Sequence, residues 1–248
     1  VIGADTTPKG FLAPQKGRRP DDPDWVRFHL GITNPTYFAL YARRRMEMYG
    51  DTQDDFAMVK VKNAEHGFSN PYARYKKKFT AEDVAASAMV ADPLRLMDIC
   101  ATSDGGAALI VCSMEYAKKI GRADAVKVAA ISTVTPTYAS SVIEMPDIAT
   151  DSGAVVDAQS FRAALPVKAY EEAGIGPEDI SLAEVYDLST ALEMDWMEDL
   201  QLCERGQAAQ LVREGATKIG GRLPINTSGG LACFGEAVPA QAISQICE

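Results

Sequence analysis

The sequence predicts a layered α/β/α fold for most of the chain. Two observations lead to this prediction. A short, wholly apolar run at 107–111 and a mainly apolar one at 126–134 suit strands buried inside a sheet, and segments of helical periodicity lie between and after them. Strands that alternate with amphipathic helices are typical of a sheet covered by helices. The 248 residues, 47% of them hydrophobic, are enough to bury a sizeable core.

The first 95 residues are predicted to be helical and rich in loops. Asn34 suits the N-cap of a first helix, which Gly50 ends. Thr52 can cap a second helix, and Thr80 with Asp83 resembles the capping box of a third. The predicted elements are an extended loop over 1–30, helices over 34–50, 52–67 and 81–89, and a second loop over 68–79.

After Pro93 the pattern changes to alternating strands and helices. The run from Ala107 to Val111 is wholly apolar, as a central strand would be, and Gly121 and Gly174 are placed to end helices. The predicted elements are strands over 107–111, 126–134 and 180–186, helices over 114–120, 158–173, 188–203 and 207–214, and a last helix from about 237.

Composition and charge argue against several classes of protein. A net charge of −9 argues against non-specific nucleic-acid binding, which requires a field of Lys and Arg. No apolar run approaches the ~18 residues of a membrane span, and no signal segment opens the chain, so we expect a cytoplasmic protein. The five cysteines form no C-x-x-C pair, and we predict neither a disulfide framework nor a metal site. Structural roles are expected for both histidines, His29 and His66.

Small residues dominate the segment from Ser103 to Ala108, at the start of the first predicted strand. Residues of this size let two backbone segments approach closely. Tight packing of the strand explains such a segment. The alternative is the approach of a ligand, in which case Ser103 would be a binding residue.

A second candidate segment, residues 183–187, ends the predicted strand over 180–186. Ligands of open α/β sheets gather at the carboxyl ends of strands. Tyr186, Asp187 and Glu184 would supply a proton donor, an acceptor and an orienting group there. The structural alternative is a surface Tyr186, with Asp187 as the N-cap of the next helix.

A third candidate segment contains a Gly-rich turn and a cysteine. Asn226, Ser228, Gly229 and Gly230 form a sequence that permits positive φ and presents backbone N–H groups, as anion-cradling and oxyanion-stabilising loops require. Cys233 follows, and it is either a nucleophile or a small residue of the core.

These segments belong to a longer ordered series of motifs. The series is Asn70-Pro71-Tyr72, Thr102-Ser103-Asp104-Gly105, Ala183-Glu184-Val185-Tyr186-Asp187, Leu202-Cys203-Glu204-Arg205-Gly206, Gly220-Gly221-Arg222-Leu223-Pro224-Ile225-Asn226 and Ser228-Gly229-Gly230. The series resembles the thiolase superfamily, in the sterol carrier protein-x type branch that includes many bacterial lipid-transfer-protein homologues. The resemblance spans essentially the whole chain. It implies a thiolase fold, layered α/β/α/β/α with a helical loop domain.

The resemblance also implies a division of the chain. Family members have an upstream segment with the nucleophilic cysteine and a downstream segment that completes the second half, so we expect this chain to be incomplete at both ends. The implied parts are a loop domain covering the CoA site over 1–95, the end of the N-terminal half over 96–134 and the start of the C-terminal half over 135–248.

Two positions depart from the family pattern. Thiolases of this branch have a His that helps to form an oxyanion hole where this chain has Tyr186, and a His that activates the nucleophilic cysteine where it has Glu236. An ionised carboxylate cannot donate to an enolate oxygen, and it disfavours a thiolate beside it. Claisen chemistry through an acyl-cysteine is therefore not expected.

In character the chain is most similar to the aldolases of steroid side-chain degradation. These enzymes cleave a β-hydroxyacyl-CoA by a retro-aldol step and form no acyl-enzyme. The resemblance implies that Tyr186 acts as acid or base with Glu236 as its charged counterpart, and that Asp187 and Asn226 orient them. A Tyr that acts as a base at neutral pH needs a lowered pKa.

Binding of the CoA thioester, the substrate, would fall to Ser103, Gly229 and Gly230, with Cys233 as a further catalytic candidate and no resident cofactor. The family implies a homodimer and a small acyl-CoA-binding partner built from an OB-fold and a zinc ribbon. The acyl group stays open, since a fatty or aromatic chain fits as well as a steroid. Two alternatives also remain: a thiolase or acetyl-CoA acyltransferase that uses a cysteine outside this chain, and a non-catalytic acyl-CoA-binding subunit.

Overall fold

The computed structural model of the chain describes residues 1–6, 33–135 and 161–248. Short antiparallel strand pairs, β1 with β4 and β2 with β3, accompany a larger set of helices. In chain order the elements are β1 (Ile2–Asp5), α1 (Asn34–Tyr49), α2 (Gln53–Ser69), α3 (Ala81–Ala86), β2 (Met89–Ala91), β3 (Leu94–Arg95), β4 (Gly105–Ala108), α4 (Met114–Lys119), α5 (Ala164–Ala173), α6 (Thr190–Asp199), α7 (Ala208–Arg213), α8 (Leu231–Phe234) and α9 (Val238–Cys247), with 3-10 turns at Leu96–Asp98, Phe161–Ala163 and Pro177–Asp179.

α2 and α3 begin close to where the sequence predicts, because local side chains satisfy their first backbone N–H groups. At α2 the Thr52 hydroxyl accepts from the Asp55 N–H, and the Asp55 carboxylate accepts from the Thr52 N–H. Thr80 starts α3 with the same arrangement. The start of α1 is corrected by one residue, since Thr33 and not Asn34 is its N-cap.

The later helices also match their predicted positions, and several are shorter. Ser189 is the N-cap of α6, where its Oγ accepts from the Leu192 N–H at 3.3 Å. The structural alternative for Asp187, a helix N-cap, is therefore wrong. α5 ends at Gly174 as predicted, in the left-handed conformation (φ 69°), while its predicted start at 158 falls outside the described residues.

The core lies where α1, α2 and α6 pack together. Phe38 of α1, Phe56 and Val59 of α2, and Met194 and Met197 of α6 are each 4% exposed or less. The two named residues of α2, and likewise the two of α6, are three positions apart, so each pair lies on one face of its helix. Burying one such side chain stabilises the fold by about 1.5–3 kcal/mol.

The first predicted strand is only partly correct. Residues 2–5, predicted as loop, form β1 and pair antiparallel with β4, with Ile2 opposite Ala108. The segment 107–111 is not the buried central strand that its composition suggests, because Ile110 is 98% exposed. β1 is the partner strand of β4 within the described residues. A central strand would need neighbours on both edges.

The predictions of strands over 126–134 and 180–186 are wrong. Val126 is 91% exposed and its segment forms no ladder, while the second segment keeps one parallel bridge, from Ala183 to Ile225. Strands form when a neighbour supplies ladder hydrogen bonds. An apolar run indicates hydrophobicity, but it does not indicate whether a neighbouring strand is present.

The segment 225–237 connects two parts of the molecule. α2 contacts α8 on one side, and α9 leads away to pack on β1 and β4. Within the described ranges no helix is long and apolar enough to cross a membrane. The division of the chain at 95 and 134 stays a prediction, and His29 lies outside the described residues.

Candidate active site

Tyr186 and Glu236, fifty positions apart in the chain, meet in the structure. The Tyr186 hydroxyl donates a short hydrogen bond to Glu236 Oε1. Both side chains are half-buried. The two positions at which the chain departs from the thiolase pattern therefore form one hydrogen-bonded pair.

Burial decides the protonation states of this pair. It raises the pKa of Tyr186, and the charge of Glu236 raises that pKa further. Burial also raises the pKa of Glu236 above its ordinary 4.5, although the hydrogen bond from Tyr186 opposes this shift. Tyr186 is thus a neutral donor, and Glu236 is the acceptor, a carboxyl whose pKa burial raises.

The backbone of Glu236 is fixed by the chain that precedes β4. Its N–H donates to Ala101 O at 2.7 Å, and its carbonyl accepts from the Ser103 N–H at 2.9 Å. Thr102 and Glu236 form a parallel bridge. Glu236 therefore gains its position from strand-like pairing with a segment more than a hundred residues earlier.

A cavity of about 650 Å³ is lined by the two residues that flank Glu236, although neither Tyr186 nor Glu236 lines it. Gly235 and Ala237, the neighbours of Glu236, line it together with Ser103. Arg74 and Phe234 also belong to its wall, which mixes a cationic and an apolar side chain. Gly229 and Gly230 do not line it.

Asp187 is an anchor for α8. It is 3% exposed, and its carboxylate accepts from the N–H groups of Leu231 (2.8 Å) and Ala232 (3.2 Å). Asn63 Nδ2 donates to the same carboxylate at 3.1 Å. Burial, followed by the charge of Glu193, raises the pKa of Asp187 well above its usual range. With these contacts Asp187 orients the segment that leads to Glu236.

Asn226 contacts the segment that carries Tyr186. It is fully buried and has φ 53°, a left-handed conformation that Asn tolerates better than most residues. Its Oδ1 accepts from the Val185 N–H at 2.8 Å, and its own N–H donates to Ala183 O at 2.9 Å. The segment that carries Tyr186 is thus held beside the Gly-rich turn.

The Gly-rich turn uses its own backbone donors internally. The Gly229 N–H donates to Asn226 O at 2.9 Å, and the Gly230 N–H donates to Ser228 Oγ at 3.0 Å. Glu184 fastens the turn from outside, because its carboxylate accepts from the Ser228 N–H (2.9 Å) and hydroxyl (2.6 Å). The binding roles predicted for Gly229 and Gly230 stay predictions. The described contacts of these two glycines are structural.

Cys233 is packed inside the protein. It is 1% exposed, its Sγ donates to Asn63 O at 3.3 Å, and burial raises the pKa of its thiol to about 11 against the opposing charge of Lys60. A thiol in this state is a weak nucleophile at neutral pH. The environment matches the small core residue that was the alternative reading.

Replacing Gly230 by Ala is expected to displace Asp187. A Cβ at Gly230, where φ is 61°, would stand 2.5 Å from Asp187 Oδ2. Gly220→Ala is the matched control, since Gly220 has φ 85° and nothing within 4 Å of the added Cβ. The control should cost about 1–2 kcal/mol for the left-handed backbone alone. Urea denaturation should show a larger loss for Gly230→Ala, and equal losses would contradict the contact.

The polar face of α2 was not predicted. Lys60 donates to Ala232 O (2.8 Å) and Lys62 to Ile225 O (3.0 Å). Asn70 donates to Ser228 O at 3.1 Å. Lys60 and Lys62 lie on α2 and Asn70 is its C-cap, and all three bind carbonyls of the segment 225–232. The signal in the sequence is a set of polar residues at helical spacing, which ordinarily indicates a solvated face.

His66 belongs to the same face and has a structural role, as predicted. Its Nε2 accepts from the Ile219 N–H at 3.1 Å, so its Nδ1 carries the proton and donates to Asn226 O at 2.9 Å. Burial lowers the pKa of His66, which keeps this neutral tautomer at neutral pH. Among the described residues no group of three or more His, Cys, Asp or Glu is arranged to hold a metal ion.

Comparisons with known proteins agree with this architecture. Residues 137–248 match the family described as thiolase C-terminal domain-like. The chain is 34% identical over 209 residues to the benzoylsuccinyl-CoA thiolase subunit BbsB of Thauera aromatica, covering 84% of this chain and 51% of that protein. It is 35% identical over 210 residues to the steroid side-chain-cleaving aldolase of Thermomonospora curvata, covering 81% and 50%.

A solved structure, the Ltp2-ChsH2(DUF35) aldolase, superposes with a TM-score of 0.75 at 30% identity. The match covers 100% of this chain and 62% of that one. The chain spans about half the length of those two curated relatives. It has a thiolase fold and belongs to the thiolase superfamily, in the lipid-transfer branch that includes sterol carrier protein 2.

Proposed function

We propose that this chain is part of an enzyme that cleaves a carbon–carbon bond in a β-hydroxyacyl-CoA by a retro-aldol step. The observation that carries the proposal is the contact of Tyr186 with Glu236, whose chain neighbours Gly235 and Ala237 line the cavity. A relative named as a steroid side-chain-cleaving aldolase and a structural neighbour named as an aldolase support it.

The proposed step conserves atoms and needs no oxidant or reductant. The β-hydroxyl loses its proton, its electrons form a carbonyl, and the bond between the α- and β-carbons breaks. The electron pair of that bond passes to the thioester as an enolate. The enolate then takes a proton at the α-carbon, which gives a ketone or aldehyde and a shorter acyl-CoA.

Glu236 is the proposed base, and Tyr186 relays the proton to it. Tyr186 does not have the lowered pKa that a free tyrosinate base requires, because burial and the neighbouring carboxylate both raise that pKa. As the Tyr186 hydroxyl takes the substrate proton, its own proton moves to Glu236. The proton held on Glu236 can then return to the enolate carbon, so the site ends the cycle unchanged.

The cavity is the proposed place of the acyl group. Its wall includes Phe234 and Ala237, which suit an apolar chain, and Ser103 can contact the thioester. No resident cofactor is needed, because the CoA thioester itself stabilises the enolate. The names of the relatives favour a steroid or aromatic acyl group.

A partner protein is part of the proposal. One relative is named as a thiolase subunit, and the structural neighbour is named as a complex of Ltp2 with ChsH2(DUF35). We propose a homodimer that works with a small acyl-CoA-binding protein of OB-fold and zinc-ribbon type. Assays should therefore use the full-length protein with and without that partner.

Tyr186→Phe tests the relay. We expect kcat for cleavage of a β-hydroxyacyl-CoA to fall about 10²-fold, since proton transfer by a positioned group contributes at least that much. Binding of CoA should be unchanged. The control is Tyr170→Phe, which removes a hydroxyl that donates to Leu200 O at 2.8 Å and has no described contact with the site. Full turnover by Tyr186→Phe would sink the proposal.

Acyl transfer through a cysteine is the second candidate, because one relative is named as a thiolase. The buried thiols of this chain do not suit the role of nucleophile, so this candidate requires a cysteine outside the chain. Burial raises the pKa of Cys203 to about 12 and that of Cys100 well above its usual range. Mass spectrometry of the full-length protein after incubation with acyl-CoA decides the question, since a trapped acyl-cysteine indicates a thiolase. If the complex with the partner protein binds acyl-CoA but catalyses neither retro-aldol cleavage nor acyl transfer, this chain is the non-catalytic subunit.

A further inference from the structure

We infer that Glu193 is a positioning residue that holds Tyr186 and Glu236 together. This inference rests on the proposed function and adds to it a residue that touches neither substrate nor the reacting atoms. Glu193 lies in the first turns of α6 and is 0% exposed. Its carboxylate accepts three side-chain hydrogen bonds.

One route runs from Glu193 to Tyr186. Glu193 Oε2 accepts from Asn226 Nδ2 at 2.8 Å, which fixes the orientation of that amide. The other end of the amide, Oδ1, accepts from the Val185 N–H at 2.8 Å. Val185 is the residue before Tyr186, so the backbone that presents the phenol is two hydrogen bonds from Glu193.

The second route runs from Glu193 to Glu236. Glu193 Oε2 also accepts from Asn63 Nδ2 at 2.6 Å, and the same amide nitrogen donates to Asp187 at 3.1 Å. Asp187 in turn accepts from the first N–H groups of α8, which ends one residue before Gly235. The helix that leads to Glu236 is thus joined to the same buried carboxylate.

A counter-ion allows the charge of Glu193 to be buried. Lys62 Nζ donates to Glu193 Oε1 at 2.5 Å, and the side chains are 1% and 0% exposed. Lys62 also donates to Ile225 O, next to Asn226. A buried ion pair of this kind contributes little net stability. It restricts the positions of the two side chains, because either charge would be left unpaired in the interior if it moved away.

Glu193→Gln is the test, and Glu198→Gln is its matched control. Glu198 lies on the same helix, is 5% exposed and forms an equally buried ion pair with Arg45, but it has no described contact with the site. We expect kcat of Glu193→Gln to fall about 10²-fold with KM unchanged, the effect of a small misplacement of reacting groups. The control should lose stability and keep kcat.

A readout without turnover separates this inference from the proposed function. In hydrogen–deuterium exchange of the unliganded protein, Glu193→Gln should lose protection at the N–H groups of Val185, Leu231 and Ala232, and Glu198→Gln should not. If Glu193→Gln loses this protection but the wild-type protein does not cleave a β-hydroxyacyl-CoA, the proposed function is rejected. The hydrogen-bond network of Glu193 is then still supported. Unchanged protection at these three groups would overturn the inference, and so would an equal loss of kcat in the control.

A double variant guards against simple unfolding. Replacing Lys62 and Glu193 together by Met removes both buried charges, an exchange that is often neutral for stability. It also removes all three side-chain hydrogen bonds of Glu193. A stably folded double variant with the low kcat of Glu193→Gln supports positioning, and one with wild-type kcat overturns it.

Discussion

Glu236→Gln is expected to lower kcat/KM for a β-hydroxyacyl-CoA by about 10³- to 10⁴-fold, the upper range for loss of a general base. In the wild-type protein kcat/KM should rise with pH as Glu236 loses its proton. The apparent pKa of that rise should lie above the ordinary 4.5 of Glu, because burial raises the pKa of this carboxyl. Initial rates measured from acidic to neutral pH should show the rise in the wild type and not in the variant.

Asp5 offers a way to move the same pH profile without touching the pair. Its negative charge is one of the causes that raise the pKa of Glu236. The base is the ionised form, so a lower pKa keeps it active at lower pH. Asp5→Asn should therefore shift the acid limb of kcat/KM to lower pH. An acid limb that survives in Glu236→Gln, or that moves to higher pH in Asp5→Asn, would show that another group is the base.

The sequence predicted both members of the reacting pair, but through a family resemblance and not through local pattern. Tyr186 and Glu236 stand where relatives have histidines, and this identifies positions without distances. The structure adds that the two side chains touch and that the pKa of Tyr186 is raised. A pKa depends on neighbours from distant segments, so the direction of the proton transfer was not readable from Tyr186 alone.

The residues that hold the pair were missed for a physical reason. Lys62, Asn63 and Glu193 are charged or polar residues in helices, and such residues usually face solvent. Here they are buried because they satisfy one another. These hydrogen bonds join α2 to α6, which are more than a hundred residues apart in the sequence. The periodicity of a single helix carries no information about contacts with another helix.

Helices were predicted better than strands because their hydrogen bonds are local. The capping group of α2, Thr52 with Asp55, lies three residues apart in the sequence. The ladder of β4 depends on Ile2–Asp5, which were predicted as loop. A strand prediction needs its partner, and apolar composition at 107–111 could not supply one.

Arg45→Met is expected to destabilise the protein by about 3–5 kcal/mol near neutral pH, the usual cost of leaving buried charges without a partner. The guanidinium is 1% exposed and binds Asp51 at 2.7 Å, Asp195 at 2.8 Å and Glu198 at 2.7 Å. Without it three carboxylates share a site with little access to water. Urea denaturation of the full-length protein measures the loss.

The destabilisation should shrink as the pH falls. Burial raises the pKa of Asp195 to about 6 even while Arg45 opposes the shift, and removing Arg45 raises it further. A carboxyl with a raised pKa in the folded state takes its proton earlier there than in the unfolded chain, so acid favours the folded variant. As the pH falls to about 6 and below, Asp195 takes up its proton, and the difference in stability from wild type should narrow.

Arg122→Met is the control that isolates burial. Arg122 forms two hydrogen bonds with Asp124, at 2.9 and 3.0 Å, but the two side chains are 64% and 70% exposed. An exposed ion pair contributes little to stability, so this variant should be only slightly destabilised at any pH. Equal losses in the two variants would mean that desolvation does not govern these pairs. A large, acid-relieved loss confined to Arg45→Met would show that the buried cluster fastens α6, the helix that also carries Glu193.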